Sequence, residues 1–306
     1  MKLIKQSFEI LEQKDYSLIG IKKFIERCGR VCYKSEDKIT DDSYEKFVNM
    51  LEKRDHTRPL EFGTVHLKMT SLDFQKFIHS LLTVGMINNI WLNHYHSYNE
   101  DTVYITTNYR YYLDIVKCFP NVKEYFTDED NKYYPKRYTV HFIISRGIMD
   151  EFRTHVGLSH LAESTRYCNY SKDKFGKELT FIKPSWLKFQ GEQILSSEDN
   201  VDHDRYIAEI DDDGTLSDFL APLLRAEKRY NALINKGWTP QQAREILPLS
   251  VKSELISCGF EDVWKNFFYR RCANDAHPMA REVAIPLQDK FNELGYISNN
   301  LVGTSS

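Results

Sequence analysis

The sequence lacks any long apolar run, any paired cysteine motif and any excess of one charge, and it holds little glycine. No stretch approaches the ~20 uninterrupted apolar residues of a membrane span, so none is expected. The opening segment MKLIKQSFEILEQKD is broken by Lys2, Lys5, Glu9 and Glu12, so no secretory leader is expected. The six cysteines, Cys28, Cys32, Cys118, Cys168, Cys258 and Cys272, form no C-x-x-C pair. Scattered thiols without a leader predict reduced cysteines in a cytoplasmic protein and argue against zinc. His94 and His96 have a metal-like spacing but stand among Asn and Tyr with no cysteine nearby, so no metal is expected. The 41 Lys+Arg and 44 Asp+Glu leave a net charge of −3, which disfavours a nucleic-acid binder. No Pro/Ser-rich linker divides the chain.

Aromatic residues are plentiful: 19 Tyr and 18 Phe among 306 residues. Many cluster between Trp91 and Phe142, which favours structural and subunit packing. A 42% hydrophobic content supports a sizeable core, and the pattern predicts one intertwined α+β domain over 1–306. The first ~55 residues read as helical, with Asp41, Asp42 and Ser43 capping a helix through Leu51. Residues 62–70 alternate like a strand, and Ser71 and Asp73 then open a helix through Leu81. Strands are expected at 102–107, followed by a helix, and at 137–145. Gly147 is expected to end the second of these, with a helix running on to about Glu163. The acidic segment 196–218 reads as a solvated insertion, and helices are expected from Phe219 onward.

Most information lies in RGIMDEFRTHVGLSHLAESTRYCNYS (146–171). On one continuous helix, Glu151, His155, Ser159 and Glu163 would share a ridge, anchored by Ile148, Phe152, Leu158 and Leu161. Such a ridge is equally compatible with a solvent-facing stripe of salt bridges. Ser164, Thr165 and Arg166 add two hydroxyls and a guanidinium, a plausible cradle for phosphate. Two further segments carry weaker signals. In TPQQAREILPLS, Thr239 caps, Pro240 takes the first helical position and Arg244 comes one turn later. In KNFFYRRCANDAHPMAREVA, Arg270 and Arg271 stand together.

Taken in order, these segments resemble the flavin-dependent thymidylate synthases. GRVCYKSED (29–37) is similar to that family's early helix-to-loop segment, and HTRPLEF (56–62) to its flavin loop, H-x-[ST]-x-x-E-H. TTNYR (106–110) and RYTVHFIISRG (137–147) resemble its central strands. ESTRYCNYSKDKFG (163–176) is similar to the stretch just after the family signature. AREILPL (243–249) and NFFYRRCANDAHPMARE (266–282) resemble its C-terminal helices. The departures are specific. The family signature R-H-R, seven residues before Ser, aligns on Thr154, His155 and Val156, so only the histidine is kept. Arg153 stands one residue early. Ala162 occupies a position often acidic or amide, with Glu163 beside it as the expected stand-in. In the flavin loop Arg58 replaces a small hydroxyl residue, and Phe62 replaces histidine.

The resemblance implies a mostly antiparallel central sheet flanked by long helices, and a homotetramer with active sites built from several subunits. It implies reductive methylation of dUMP to dTMP, with methylenetetrahydrofolate as carbon donor and FAD, reduced by NADPH, as hydride carrier. Arg271 would be the catalytic group, contacting the pyrimidine and stabilising charge on its carbonyl. Glu151, Arg153, Glu163, Ser164, Thr165, Arg166 and Arg244 would join Arg271 in binding dUMP. His56, Arg58, Arg153, Thr154, His155 and Asn266 would face FAD. Cys168 reads as a small half-buried residue rather than a nucleophile. The two lost arginines also leave open a degenerate member that binds flavin or nucleotide without making thymidylate.

Overall fold

The computed structural model describes residues 1–85, 94–164, 166, 170, 178–187 and 214–297. Trp91, Thr165, Cys168 and the 196–213 part of the acidic segment lie outside them.

The first elements are strands, not the expected helix: β1 (Lys2–Ile4) and β2 (Ser7–Leu11). Helix α1 (Leu18–Tyr33) comes next, and the Ser17 hydroxyl accepts a bond from the Gly20 N–H. Its apolar stripe, Ile21, Phe24, Ile25, Cys28 and Cys32, has the spacing of one helical face. Gly29 lets α1 approach α2 (Ser43–Lys53): a Cβ there would lie 2.8 Å from the Phe47 ring. The loop Arg58–Phe62 leads into β3 (Thr64–Thr70), and the Thr70 hydroxyl caps α3 (Ser71–Thr83). Strands β4 (His94–Asn99) and β5 (Thr102–Asn108) precede α4 (Tyr109–Cys118) and the short β6 (Phe126–Thr127). Strand β7 (Arg137–Ser145) runs into α5 (Arg146–Arg153), then β8 (Ser159–Ala162) and β9 (Thr180–Ile182). Last come α6 (Thr215–Asn235), the single turn α7 (Pro240–Ala243), β10 (Lys252–Phe260), α8 (Glu261–Arg271) and α9 (Pro278–Glu293).

The architecture is α+β, with antiparallel sheets flanked by helices. One four-stranded sheet has the order β4-β5-β3-β6 and the other β2-β7-β10-β8, while β1 and β9 form a parallel pair. The first sheet packs on α1 to α4 through Ile21, Val48, Leu67, Ile105 and Ile115. Tyr109, Tyr111 and Tyr112 belong to this core, so much of the tyrosine cluster is spent on packing within the chain. The second sheet is covered on both faces. Phe142, Leu255, Trp264, Phe267 and Phe291 join it to α5, α8 and α9, while Leu161, Ile256 and Cys258 meet Phe24 and Cys28 of α1.

Four further expectations need correction. The helix after β7 does not reach Glu163. It stops at Arg153 because Gly157 (φ 95°) turns the chain where a Cβ would lie 2.9 Å from Val263, and Ser159–Ala162 then pairs with β10. Gly147 sits inside α5 rather than ending β7. Strand β10 interrupts the helices expected after Phe219. Its polar positions Ser253, Glu254 and Ser257 are buried, so it carries no clean alternation. Helix α6 also begins at Thr215, within the segment expected to be a solvated insertion.

Candidate active site

Helix α5 is fixed at its start by the sheet. The Ser145 hydroxyl accepts from the Ile148 N–H, while the Arg146 and Gly147 N–H groups bond the carbonyls of Val251 and Leu249. Its last turn meets the last turn of α8. There the Arg271 Nη2 donates to the Glu151 carbonyl at 2.7 Å, and Nη1 lies 3.5 Å from the Glu151 carboxylate. The guanidinium also sits 5.8 Å from the Phe152 ring centre. Its Nε is buried without a hydrogen-bond partner. Two helix C-termini carry partial negative charge, which suits a cation at this junction.

The broken ridge redistributes the predicted residues. Glu151 and His155 stay near one another, whereas Ser159 and Glu163 move onto β8 and its exit. His155 is 6% exposed, and its ring is hydrogen-bonded to the Val263 backbone and packed edge-on against Phe267. Burial lowers its pKa, and the nearby Arg271 and Arg270 add to that. Its Nε2 is buried with no partner. Thr154 spends its hydroxyl on the Glu151 carbonyl at 2.7 Å. Val156 is 81% exposed, and Arg153 reaches Asp150 at 3.6 Å. Asn266 accepts from Arg270 at 3.2 Å.

The flavin-loop segment is tied to the same region through Glu61, which is buried. Its carboxylate accepts from Arg58 (3.0 Å), Arg110 (2.6 Å) and Ser159 (2.7 Å), while Arg137 donates to its carbonyl (2.7 Å). Next on β8, His160 Nε2 lies 3.3 Å from the His155 carbonyl and Nδ1 lies 2.9 Å from Ser257 Oγ. A carbonyl can only accept, so the proton is assigned to Nε2. Burial lowers the His160 pKa to about 4, outweighing its bond to the His155 backbone. His56 contacts the Tyr33 hydroxyl at 3.3 Å on the surface.

A third group surrounds the predicted Glu163, and its partners were missed by the sequence reading. The buried Glu163 accepts from Lys252 (2.9 Å) and from the Tyr170 hydroxyl (3.0 Å). Lys252 also bonds Glu254 (2.6 Å), which pairs with Lys34 and with His141 (2.8 Å). Burial alone would raise the Glu254 pKa, but His141, Lys252 and Lys34 together hold it well below the usual carboxylate range. Lys252 shows the complement: burial favours its neutral form, and Glu163 and Glu254 outweigh that and raise its pKa. The backbone N–H of Ser164 bonds the Cys32 carbonyl just beyond this network. Arg166 is exposed, and Arg244 lies 3.3 Å from Glu245. A lysine at a strand start gives no sign of burial in sequence; only pairing across β7, β8 and β10 reveals it.

A pocket of about 350 Å³ opens beside Glu151. Ile148, Ile182, Leu249 and Met279 supply apolar walls, and Glu151, Ser250 and His277 supply polar ones. Trp186 flanks it, its ring centre 6.1 Å from that of His277. Neither Trp186 nor His277 stood out by spacing, because they come from the segment after β9 and the start of α9.

The charge and hydrogen-bonding capacity here would suit an anionic cofactor. The unpartnered His155 Nε2 offers a polar contact, and the exposed guanidiniums of Arg58 and Arg153 offer positive charge. Among the described residues no helix is long and apolar enough to cross a membrane.

Comparison with known proteins gives three findings. No curated protein matches the chain at a significant level. Two crystal structures of the UMP/dUMP methylase PolB from Streptomyces cacaoi resemble it loosely, one bound with 5-Br dUMP and the other with 5-Br UMP. They are 14% and 12% identical, with TM-scores of 0.41 and 0.42. Each match covers 96% of this chain, and 93% and 92% of PolB respectively. The family model described as thymidylate synthase complementing protein matches residues 136–294, just over half of the chain, from β7 to the end of α9. By that match the chain belongs to the thymidylate synthase complementing protein family, the family of the flavin-dependent thymidylate synthases.

Proposed function

We propose that this protein converts dUMP to dTMP, with methylenetetrahydrofolate as carbon donor and FAD reduced by NADPH as hydride carrier. The balance is dUMP, methylenetetrahydrofolate, NADPH and a proton giving dTMP, tetrahydrofolate and NADP⁺. The observation that carries the proposal is the Arg271–Glu151 junction. Arg271 is gripped through Nη2 and Nη1, yet its Nε remains buried without a partner. A guanidinium fixed by its own fold and holding a spare donor is prepared to stabilise charge on a pyrimidine carbonyl.

The other roles extend from this point. Glu151 would contact the nucleotide, and Ser164, Thr165, Arg166 and Arg244 would hold its sugar and phosphate, with Arg153 beside them. Glu163, buried between Lys252 and Tyr170, would steady the segment that carries Ser164. His56, Arg58, Arg153, Thr154, His155 and Asn266 would hold FAD. Bound flavin would supply the redox chemistry, leaving binding and polarisation to the protein. The Glu61 carboxylate joins Arg58 to Ser159 and so orients the loop toward β8. A homotetramer belongs to the same proposal, and sedimentation would measure it.

The exposed Val156 and the self-bonded Thr154 favour a second reading, in which the protein binds flavin or nucleotide without turnover. Purified full-length protein supplied with FAD, dUMP, methylenetetrahydrofolate and NADPH separates the two. Yellow protein that forms dTMP supports the enzyme. Yellow protein that forms none supports the binding-only reading; protein that binds no FAD removes the enzyme, and protein that binds neither FAD nor dUMP removes both.

A further inference from the structure

A pocket of about 500 Å³, separate from the one beside Glu151, opens where the two four-stranded sheets meet. Its size falls within the ~300–1,000 Å³ typical of small-ligand sites. Strand β2 and the first residues of β7 form one side, Thr64 at the start of β3 forms another, and Tyr296 beyond α9 closes it. None of the residues expected to bind dUMP or FAD lines it. Strands β2 and β8 are opposite edges of one sheet, so three strand spacings, roughly 14 Å, separate β2 from the strand that leads to Ser164.

The walls are held by contacts within the chain. The Gln13 amide bonds both backbone groups of Thr64, donating to the carbonyl at 2.9 Å and accepting from the N–H at 2.8 Å. Arg137 Nη2 donates to the Glu61 carbonyl at 2.7 Å, and Nη1 donates to Thr64 Oγ1 at 3.2 Å. Two tyrosine rings are fixed by stacking. Tyr16 lies on His66 and Tyr296 on Tyr138, each pair with ring centres 4.3 Å apart. The Tyr296 hydroxyl donates to Glu12 at 2.6 Å. Rings ordered before a ligand arrives lose little freedom on binding it.

The charges around this pocket do not balance. Lys14, Lys136 and Arg137 line it with only Glu12 and Asp130, which leaves one positive charge over. Lys136 is paired with Asp130, and Glu12 is engaged by a neutral hydroxyl. Arg137 spends its bonds on carbonyls, a hydroxyl and the Phe260 ring, and among the described residues no carboxylate pairs with it or with the exposed Lys14. The Tyr16 hydroxyl makes no hydrogen bond among the described residues, and burial raises its pKa, so it stays a proton donor at neutral pH. One leftover charge, N–H and O–H donors and two fixed tyrosine rings match a flat ring carrying a single carboxylate. A dianionic phosphate would bring a second negative charge against Glu12 and Asp130.

We infer that this pocket binds an aromatic monocarboxylate, with its ring against Tyr16 and Tyr296 and its carboxylate toward Lys14 and Arg137. The inference does not rest on the proposed function, because the residues assigned to dUMP and FAD lie outside the pocket.

The test is calorimetric binding to full-length protein, with indole-3-acetate as the probe and indole-3-acetamide as its neutral counterpart. The acid is expected to bind at least tenfold more tightly than the amide, a difference that shrinks at high salt. Lys14→Glu reverses the leftover charge at an exposed position. It should bring the two probes within about threefold of each other and leave thermal unfolding unchanged. Tyr296→Leu removes a wall ring and should weaken binding of the acid at least tenfold. Saturating dUMP should leave binding of the acid unchanged. Protein that binds neither probe overturns the inference, as does an acid/amide ratio that Lys14→Glu leaves intact. Wild-type binding by Tyr296→Leu, or displacement of the acid by dUMP, would place the probe elsewhere and overturn it as well.

Discussion

The two four-stranded sheets are built alike and bury different chemistry. In the β4-β5-β3-β6 sheet the buried polar groups are neutral ones: Thr64, His66, Thr106, Thr107 and Asn108. His66 is stacked between the Tyr16 and Tyr134 rings, and burial lowers its pKa to about 4. In the β2-β7-β10-β8 sheet Glu254 and Lys252 are paired across strands with Glu163, Lys34 and His141. Desolvating such charges costs energy that mutual attraction offsets only when the geometry is good. Three of the ionic sheet's strands, β7, β8 and β10, lie within the family match, whereas the neutral sheet lies outside it. The neutral sheet serves as a packing platform, whereas the ionic one supports the segment leading to Ser164.

The largest test removes the centre of the ionic network. Lys252→Met leaves Glu163 without its cation and Glu254 with one fewer. The expected loss is about 3–5 kcal/mol of stability in urea unfolding at neutral pH. A loss below about 1 kcal/mol would show that the network adds little. Acid offers the next test. The His160 pKa of about 4 lies below its ordinary value of 6.5, so the unfolded chain takes the proton first. Its stability contribution is therefore complete above about pH 6.5 and falls by about 3 kcal/mol as pH drops to about 4. Glu254, held low in the fold, adds a further loss beginning below its ordinary value of 4.5 and continuing in stronger acid. In His160→Gln the decline between pH 6.5 and 5 should become shallower, with the buried His66 still contributing to it; an unchanged slope would remove His160 as one of its sources.

Arg271→Ala should lower dTMP formation at least about 10²-fold, roughly 2.7 kcal/mol, while flavin stays bound. Turnover like wild type would refute the polarising role. The smallest effect belongs to the neutral sheet. Thr106 Oγ1 is buried with no partner, so Thr106→Val should be neutral or slightly stabilising, within about 1 kcal/mol. A large loss there would erase the contrast between the sheets.

Much of the fold was legible where periodicity was clean. Strand β7 and helices α2 and α3 lie close to their predicted positions, because their apolar residues repeat with period 2 or 3.6. Strand β10 was illegible because both its faces are covered, so polar residues sit where alternation would place apolar ones. The ridge of Glu151, His155, Ser159 and Glu163 failed for a local reason: one glycine with positive φ separates helix from strand. Of the expected site, the structure joins Glu151 to Arg271 directly and links Arg58 to Ser159 through Glu61. Trp186, Lys252 and Glu254 could not be singled out, since their partners lie far away in sequence.

The sequence alone determined the family resemblance, the α+β class and the residue types available for binding anions. These are carried by local motifs and by the spacing of apolar residues, which need no knowledge of the fold. Only the tertiary structure decided which of those residues meet. Long-range strand pairing moves Ser159 and Glu163 off the helix, buries Lys252 between two carboxylates and brings α8 against α5. Hydrogen bonds and desolvation act over a few ångströms, so a site's chemistry is set by distances that chain order does not encode.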